Sequence, residues 1–325
     1  MKNKIITLTL SIMILALSFP ANAQQTGKIP WIGYLAGAGS GPSQAFIQGL
    51  RDLGYIEGKN IAIVFRTTEG ISGRDAEIAA ELVYLKVDII VADATGAIVA
   101  AKKATSTIPI IMTDSTDPIG TGFVASLARP GGNITGLTSV SGELGGKLLE
   151  LLKEVVPGLS RVVVPGPQVG SPATDLFMKE TKIPARALKV QLIRVPVRGP
   201  EDFESVFSAA IKERANGLLV RLAQRTSAAH RKQFVELVAK SRLPAIYGAS
   251  NYVDAGGLMS YGADRNAQLQ RAAVYVDKIL KGTKPADLPV EQPMKFEFIV
   301  NLTAAKQIGL TIPPNVLVRA NRVIR

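Results

Sequence analysis

The chain has 325 residues, of which 47% are hydrophobic and 20% charged, a composition typical of a globular protein long enough to form two domains. It contains no cysteine and one histidine, His230, which excludes disulfides, thiolate metal sites and cysteine nucleophiles and leaves few candidates for a general base. We therefore expect no enzymatic activity. The formal net charge of +12 is spread along the chain without interleaved aromatic residues, so we expect attraction of anions and no nucleic-acid partner.

Residues 1–23 have the pattern of a cleavable signal peptide. Two lysines precede a short apolar run over residues 5–19, and Ala21 and Ala23 supply the small residues that a signal peptidase reads. The run is shorter than the ~20 apolar residues that span a bilayer. No cysteine follows it to carry a lipid anchor. We therefore predict export to the periplasm, with cleavage after Ala23 and no membrane anchor on the mature protein.

The next part of the chain alternates apolar strands with helices. The alternation predicts parallel sheets built from right-handed crossovers. The predicted strands cover residues 31–35, 61–65, 88–92 and 108–112, and the predicted helices cover residues 42–53, 74–86, 96–104 and 118–128.

The second half of the chain repeats this theme. The order strand, polar loop, helix and strand over residues 88–112 recurs over residues 217–247, which indicates two similar lobes. We predict an α/β fold of two lobes, each a parallel-sheet Rossmann-like sandwich, with a ligand cleft between them. The first lobe is expected to comprise residues 28–136 and 260–290, and the second residues 137–259 and 291–325. The remaining predicted elements are helices over 141–156, 227–240 and 266–281, strands over 161–164 and 296–300, and a closing segment over 303–308.

Ligands of open parallel sheets bind at the carboxyl ends of the strands, which selects loops in both lobes. In the first lobe, Ser40 lies in a glycine-rich loop whose amides favour a carboxylate or phosphate, although a tight turn explains the glycines at least as well. Thr95 can cap the following helix. Thr116 and Asp117 precede Pro118, and for Asp117 we favour a helix N-cap over ligand contact, although both roles can coexist.

Candidates in the second lobe follow its strands in the same way. Arg221 could form a bidentate pair with a ligand carboxylate, and the alternative is a solvated arginine. Tyrosines offer flat apolar faces with polar tips, although Tyr252 could instead pack between the lobes. The candidates in this lobe are Gln168, Ser171, Arg221, Tyr247, Asn251 and Tyr252.

A set of short motifs covers nearly all of the chain after residue 27. They are Ile32-Gly33-Tyr34, Gly49-Leu50-Arg51-Asp52-Leu53-Gly54-Tyr55, Asp117-Pro118, Arg129-Pro130-Gly131-Gly132-Asn133-Ile134-Thr135-Gly136, Leu151-Leu152-Lys153-Glu154-Val155-Val156-Pro157, Pro244-Ala245-Ile246-Tyr247, Gly256-Gly257-Leu258-Met259-Ser260-Tyr261-Gly262, Ile279-Leu280-Lys281-Gly282 and Asn301-Leu302. With these motifs the chain resembles the ABC transporter substrate-binding family that includes tryptophan- and tyrosine-binding proteins. It departs from the family pattern at residues 165–171 and 221–224, where ligand selectivity is expected to reside.

The resemblance implies a type I periplasmic-binding-protein fold of the lac-repressor-like kind, no cofactor, and delivery of a solute to an ABC permease in the inner membrane. We expect a monomer that closes on a small organic solute, either an amino acid or an aromatic or other organic carboxylate. The alternative is a periplasmic ligand sensor that presents its closed form to a membrane receptor kinase. A hydrolase or racemase is disfavoured because the common catalytic side chains are scarce.

Overall fold

The structure is a computed structural model that describes residues 28–37, 43–69, 71, 73–139, 144–166, 172–222 and 224–325, with the backbone alone at 172–174 and 224–229. The predicted signal peptide and the candidate site residues Ser40, Gln168 and Ser171 lie outside the described residues.

The first sheet has five parallel strands in the order β2-β1-β3-β4-β5. Its central strand, β3, is a run of four buried apolar residues, as expected for a sheet that is covered on both faces. The strands are β1 (Trp31–Ala36), β2 (Ala62–Thr67), β3 (Ile89–Ala92), β4 (Ile110–Met112) and β5 (Ile134–Gly136).

The second sheet has seven strands in the order β12-β11-β10-β9-β8-β6-β7. Its neighbouring strands are parallel except β10 and β11, which pair antiparallel where the chain returns from the first sheet. The strands are β6 (Arg161–Gly166), β7 (Gln191–Pro196), β8 (Gly217–Val220), β9 (Ala245–Tyr247), β10 (Met259–Ala263), β11 (Phe296–Asn301) and β12 (Arg322–Ile324).

Helices cover both faces of each sheet. Short 3₁₀ turns are also present at Pro200–Asp202 and Pro285–Asp287. Within the described residues, no helix is both long enough and apolar enough to cross a bilayer. The helices are α1 (Gln44–Asp52), α2 (Arg74–Tyr84), α3 (Thr95–Ala104), α4 (Gly145–Val155), α5 (Pro172–Ala187), α6 (Phe203–Lys212), α7 (Gln224–Ser241), α8 (Asn251–Asp254), α9 (Arg265–Leu280), α10 (Leu302–Gln307) and α11 (Pro314–Leu317).

The chain leaves the first sheet after β5 and later returns to complete it. Helix α9 packs on α1, and its Leu269, Ala272 and Ala273 enter one core cluster with Phe46 and Leu50. The last residues then go back to the second sheet as β11, α10, α11 and β12. The two sheets are therefore joined by more than one crossing of the chain, as the sequence predicted for a hinged pair of lobes.

An ion pair fastens two of these crossings to the first lobe. Arg271 of α9 binds the carboxylate of Glu291 through two hydrogen bonds, of 2.7 and 2.6 Å. The backbone of Glu291 in turn bonds to Gly136 and Thr138 at the end of β5. Because the Arg271 guanidinium favours the charged form, the pKa of Glu291 lies below its usual range.

Three segments differ from the sequence prediction. Residues 118–128, predicted as a helix, form successive turns, because Gly122 has a φ of 67° that a right-handed helix does not allow. The sequence also predicts that the chain crosses to the second lobe at residues 134–137, but residues 134–136 form β5 of the first sheet. Residues 260–263, assigned to the first lobe, pair within the second sheet as part of β10.

The last residue of β5 provides a test of this packing. Gly136 has a φ of 125°, and a Cβ atom there would lie 2.2 Å from the carbonyl oxygen of Met112. We expect Gly136→Ala to lower the free energy of unfolding by about 1–3 kcal/mol, measured by urea denaturation. Gly132→Ala is the matched control, since a Cβ at 132 meets no atom within 4 Å and that residue does not have a positive φ. Equal unfolding midpoints for the two variants would contradict the packing described.

Candidate functional site

Both sheets reverse their strand order at a corresponding place. In the first sheet β1 lies between β2 and β3, and in the second sheet β6 lies between β7 and β8. Ligands of open α/β sheets bind at the carboxyl ends of the strands beside such a reversal. The first described residue after β3 is Asp93 and the first after β8 is Arg221, so the two lobes place opposite charges at equivalent positions.

Asp93 is buried and joins three segments of the chain. Its Oδ1 accepts a hydrogen bond from the Thr113 hydroxyl, which follows β4, at 2.8 Å. The same carboxylate forms an ion pair with Nη2 of Arg265, the first residue of α9. Because 5% of the Asp93 side chain is exposed, its charge depends on these two partners rather than on water.

Arg265 is a fixed cation at this junction. Burial lowers the pKa of its guanidinium, but the nearby carboxylates of Asp93 and Asp114 outweigh burial and raise that pKa above its ordinary value. Burial and Asp93 also raise the pKa of Tyr34, so its hydroxyl stays neutral. Nη1 of Arg265 is buried and has no hydrogen-bond partner among the described residues.

Asp114 and Arg221 belong to different lobes and interact electrostatically. Asp114 follows β4, and burial raises the pKa of its carboxyl, against the opposing effects of Arg265, the Ser139 side chain and Arg221. Burial lowers the pKa of Arg221 to about 10, against the opposing effect of Asp114. The Arg221 guanidinium also lies over the Phe177 ring, 4.6 Å from its centroid. A carboxylate from one lobe and a guanidinium from the other are therefore close enough for each to affect the pKa of the other.

A pair of stacked tyrosines backs the second-lobe side of the site. We call residues 247–252 the tyrosine segment, because Tyr247 ends β9 and Tyr252 lies in α8. Their ring centroids are 4.7 Å apart at an interplanar angle of 14°, and the Arg231 guanidinium lies 5.8 Å from the centroid of Tyr252. Tyr247 is fully buried and Tyr252 is 5% exposed, so in this conformation the rings form a packed wall rather than open faces for a ligand.

The other candidates from the sequence occupy simpler positions. Thr95 is exposed as the first residue of α3, and the N-cap is Ala94, so the predicted capping role of Thr95 is wrong. Asp117 accepts a hydrogen bond from the Gly120 amide at 2.8 Å and so caps a turn instead of the predicted helix. Thr116 is half-buried in the same loop, and Asn251 is exposed at the start of α8.

Sequence reasoning did not select three charged residues of this junction. Asp93 and Asp114 lie in loops that it had singled out, and their position directly after buried strands was the available signal. Arg265 gave no such signal, because its approach to Asp93 depends on how α9 returns to the first lobe.

Hollows elsewhere on the described surface involve none of these charged residues. One, of about 450 Å³, lies beside α10. The other, of about 240 Å³, lies between α6 and the end of α7. No group of three or more His, Asp or Glu side chains in the described part of the chain is placed to hold a metal ion. The junction of the two lobes is therefore the candidate site.

The chain belongs to a known family. A family model for ABC transporter substrate binding proteins matches residues 41–324, which is most of the sequence. This finding confirms the resemblance seen in the sequence motifs and identifies the chain as a member of a solute-binding family.

Several relatives support the same assignment. The Tyrosine-binding protein of Clostridioides difficile (strain R20291) is 26% identical over 275 residues, which are 82% of this chain and 76% of that protein. A conserved domain protein from Vibrio cholerae is 29% identical with a TM-score of 0.82, covering 91% of this chain and all of that chain. An ABC domain from Streptococcus pneumoniae in complex with L-Trp is 27% identical with a TM-score of 0.81 and the same coverage. These structures confirm the predicted type I periplasmic-binding-protein fold.

The backbone at the end of β3 is strained, which gives a stability test. Ala94 has φ 90° and ψ 157°, a region open to glycine that costs other residues about 1–3 kcal/mol. We expect Ala94→Gly to raise the free energy of unfolding by about 1 kcal/mol, after allowing for the greater freedom of glycine in the unfolded chain. Ala100→Gly, in the interior of α3, should lower it by about 1 kcal/mol. Chemical denaturation of both variants measures the difference, and a loss of stability in Ala94→Gly would rule out strain.

Proposed function

We propose that the protein is the periplasmic solute-binding component of an ABC importer, and that it captures an amino acid by closing its two lobes. The observation that carries this proposal is the position of Asp114 just after β4 of one lobe and of Arg221 just after β8 of the other, where each affects the pKa of the other, in a chain of the substrate-binding family. The amino-terminal pattern of residues 1–23 supports a periplasmic location.

The two charges suit a ligand that carries both signs. A ligand carboxylate can take two parallel hydrogen bonds from Arg221, and an ammonium group on the same ligand can pair with Asp114. A ligand with a carboxylate alone would meet Asp114 as a like charge. An amino acid between the two side chains therefore compensates the charges of both Arg221 and Asp114. The corresponding acid without an amine compensates only the charge of Arg221.

Contacts from both lobes also provide the reason for closure. A ligand shifts an equilibrium between open and closed forms only by its difference in affinity for the two. A ligand held by Arg221 and Asp114 together makes both contacts only when the lobes are close. The pair of Arg271 and Glu291 fastens two chain crossings to the first lobe. We therefore expect the lobes to rotate about the residues that follow these fastened points along the chain.

The relatives favour an aromatic amino acid. One is named for binding tyrosine and another was solved with L-Trp. The test is a thermal-shift and calorimetric comparison of L-tyrosine and L-tryptophan with tyramine, which lacks the carboxylate, and 3-(4-hydroxyphenyl)propionate, which lacks the amine. A ligand at ~1,000 times its Kd should add roughly 4 kcal/mol of stability. Binding of the amino acids alone supports the proposal, and equal binding of the deaminated acid would contradict the role of Asp114.

Removing Arg221 should weaken binding without unfolding the protein. We expect Arg221→Ala to cost about 2–4 kcal/mol of L-tyrosine binding, or roughly 30- to 1,000-fold in Kd by calorimetry, because Asp114 is left opposite an uncompensated carboxylate. Arg129→Ala is the control, since Arg129 is an exposed arginine outside the junction. If both variants bind as the unchanged protein does, Arg221 is not part of the site.

Binding should also depend on the protonation of Asp114. Burial raises the pKa of this carboxyl above the ordinary value of about 3.9, and a ligand ammonium group binds the ionised form. Affinity is therefore full above the raised pKa and falls as the pH decreases through it. We expect the Kd of the unchanged protein for L-tyrosine to rise as the pH is lowered from about 8 to about 4. Asp114→Asn should bind more weakly at about pH 8, lose this pH dependence and approach the affinity of the unchanged protein as the pH falls.

A further inference from the structure

Gly262, in β10, lies in close backbone contact with the tyrosine segment. A Cβ atom at position 262 would lie 2.3 Å from the carbonyl oxygen of Gly248 and 3.1 Å from its carbonyl carbon. Non-bonded atoms in close-packed protein do not approach so closely, so a side chain at 262 must displace the backbone at 248. Because Gly262 does not have a positive φ, the close approach rather than the backbone conformation is what requires glycine.

A second glycine fits the other end of the tyrosine segment. A Cβ atom on Gly257 would lie 2.6 Å from Cε2 of Tyr247 and 2.8 Å from the carbonyl oxygen of Tyr252. The Gly257 amide donates a hydrogen bond of 2.8 Å to the same carbonyl oxygen. The stretch from Gly257 to Gly262 therefore holds the tyrosine segment at both of its ends.

The same strand leads directly to the charged junction. Asp264 follows β10 and caps α9 by accepting a hydrogen bond from the Ala267 amide at 3.1 Å. Arg265 comes next and pairs with Asp93 of the first lobe. On the other side, Tyr247 pairs in register with Val220, the residue before Arg221, and Tyr252 stacks on Tyr247. A continuous run of backbone thus connects the Arg265–Asp93 pair with the wall behind Arg221.

We propose that Gly262 is a positioning residue for solute binding, because its close approach to Gly248 fixes the tyrosine segment, whose Tyr247 pairs with the residue before Arg221. Gly262 touches no solute and acts through the tyrosine segment. The inference rests on the proposed function, since it assumes that Arg221 receives the ligand. Gly262 of β10 would therefore affect the site only because it has no side chain.

The experiment compares Gly262→Ala with Gly217→Ala. A Cβ on Gly217 would lie 2.6 Å from Cδ1 of Leu159, so this control also introduces a clash in the second lobe, but at the start of β8 and away from Arg221. Three quantities are measured for each protein: the free energy of unfolding, the hydrogen exchange of peptides that cover residues 248–257, and Kd for L-tyrosine and L-tryptophan.

Both variants should lose stability, but only one should disturb the site. We expect Gly262→Ala to speed exchange of residues 248–257 by about tenfold or more and to weaken binding of both amino acids by about tenfold or more. Gly217→Ala should leave both quantities within about twofold of the unchanged protein. A purely structural role for Gly262 would speed exchange of residues 248–257 but leave the Kd for both amino acids within about twofold of the unchanged protein.

Each contrary result overturns the inference in a recognisable way. Unchanged exchange or unchanged affinity in Gly262→Ala means that the contact does not position the site. If Gly262→Ala does not fold, hydrogen exchange of the unchanged protein is the test instead. Residues 248–257 should then exchange more slowly than the exposed turn at 57–60, and equal rates would mean that β10 does not hold them. If the unchanged protein binds neither amino acid, the proposed function fails, while the exchange comparison still tests whether Gly262 holds the segment.

Discussion

The ion pair between Asp93 and Arg265 is the interaction on which the junction of the two lobes depends. A buried carboxylate that lost its partner would be left uncompensated, at a cost of about 3–5 kcal/mol for a fully buried pair and less here because a third of the Arg265 side chain is exposed. Arg265 begins the helix that returns to complete the first lobe, so the pair also fixes where that helix starts. The charges of Asp114 and Arg221 are then arranged around this fixed point.

The alternation of strands and helices could be predicted because strands of a parallel sheet are buried on both faces. β3 is a short apolar run whose limits agree with the prediction to within one residue. The prediction failed at 118–128, where Asp117 and Pro118 were interpreted as the start of a helix without weighing the glycines at 120 and 122. α5 and β7 were not predicted, and Pro184 inside α5 removes one of the usual signs of a continuous helix.

The candidate site was predictable where position along the chain determines position in space. Arg221 follows a strand and therefore lies at the edge that faces the other lobe. Tyr247 follows the same rule, yet its ring turns into the core of the second lobe, since a side chain at a strand end can point either way. The choice of Asp117 over Asp114 reflects the same limit. Spacing places both in one loop, and only the packed structure shows which carboxyl faces the arginines.

The return of α9 to the first lobe also governs the order in which the chain can fold. The burial of Phe46 and Leu50 is completed only when Leu269 and its neighbours reach them, more than two hundred residues further along the chain. Contacts of such high sequence separation form slowly, and until then the apolar face of α1 stays uncovered. The second lobe, most of whose strands lie in the interval between β5 and α9, has the opportunity to form before the first is complete. A chain of this design therefore depends on protection of its amino-terminal half from aggregation until residue 280 has emerged.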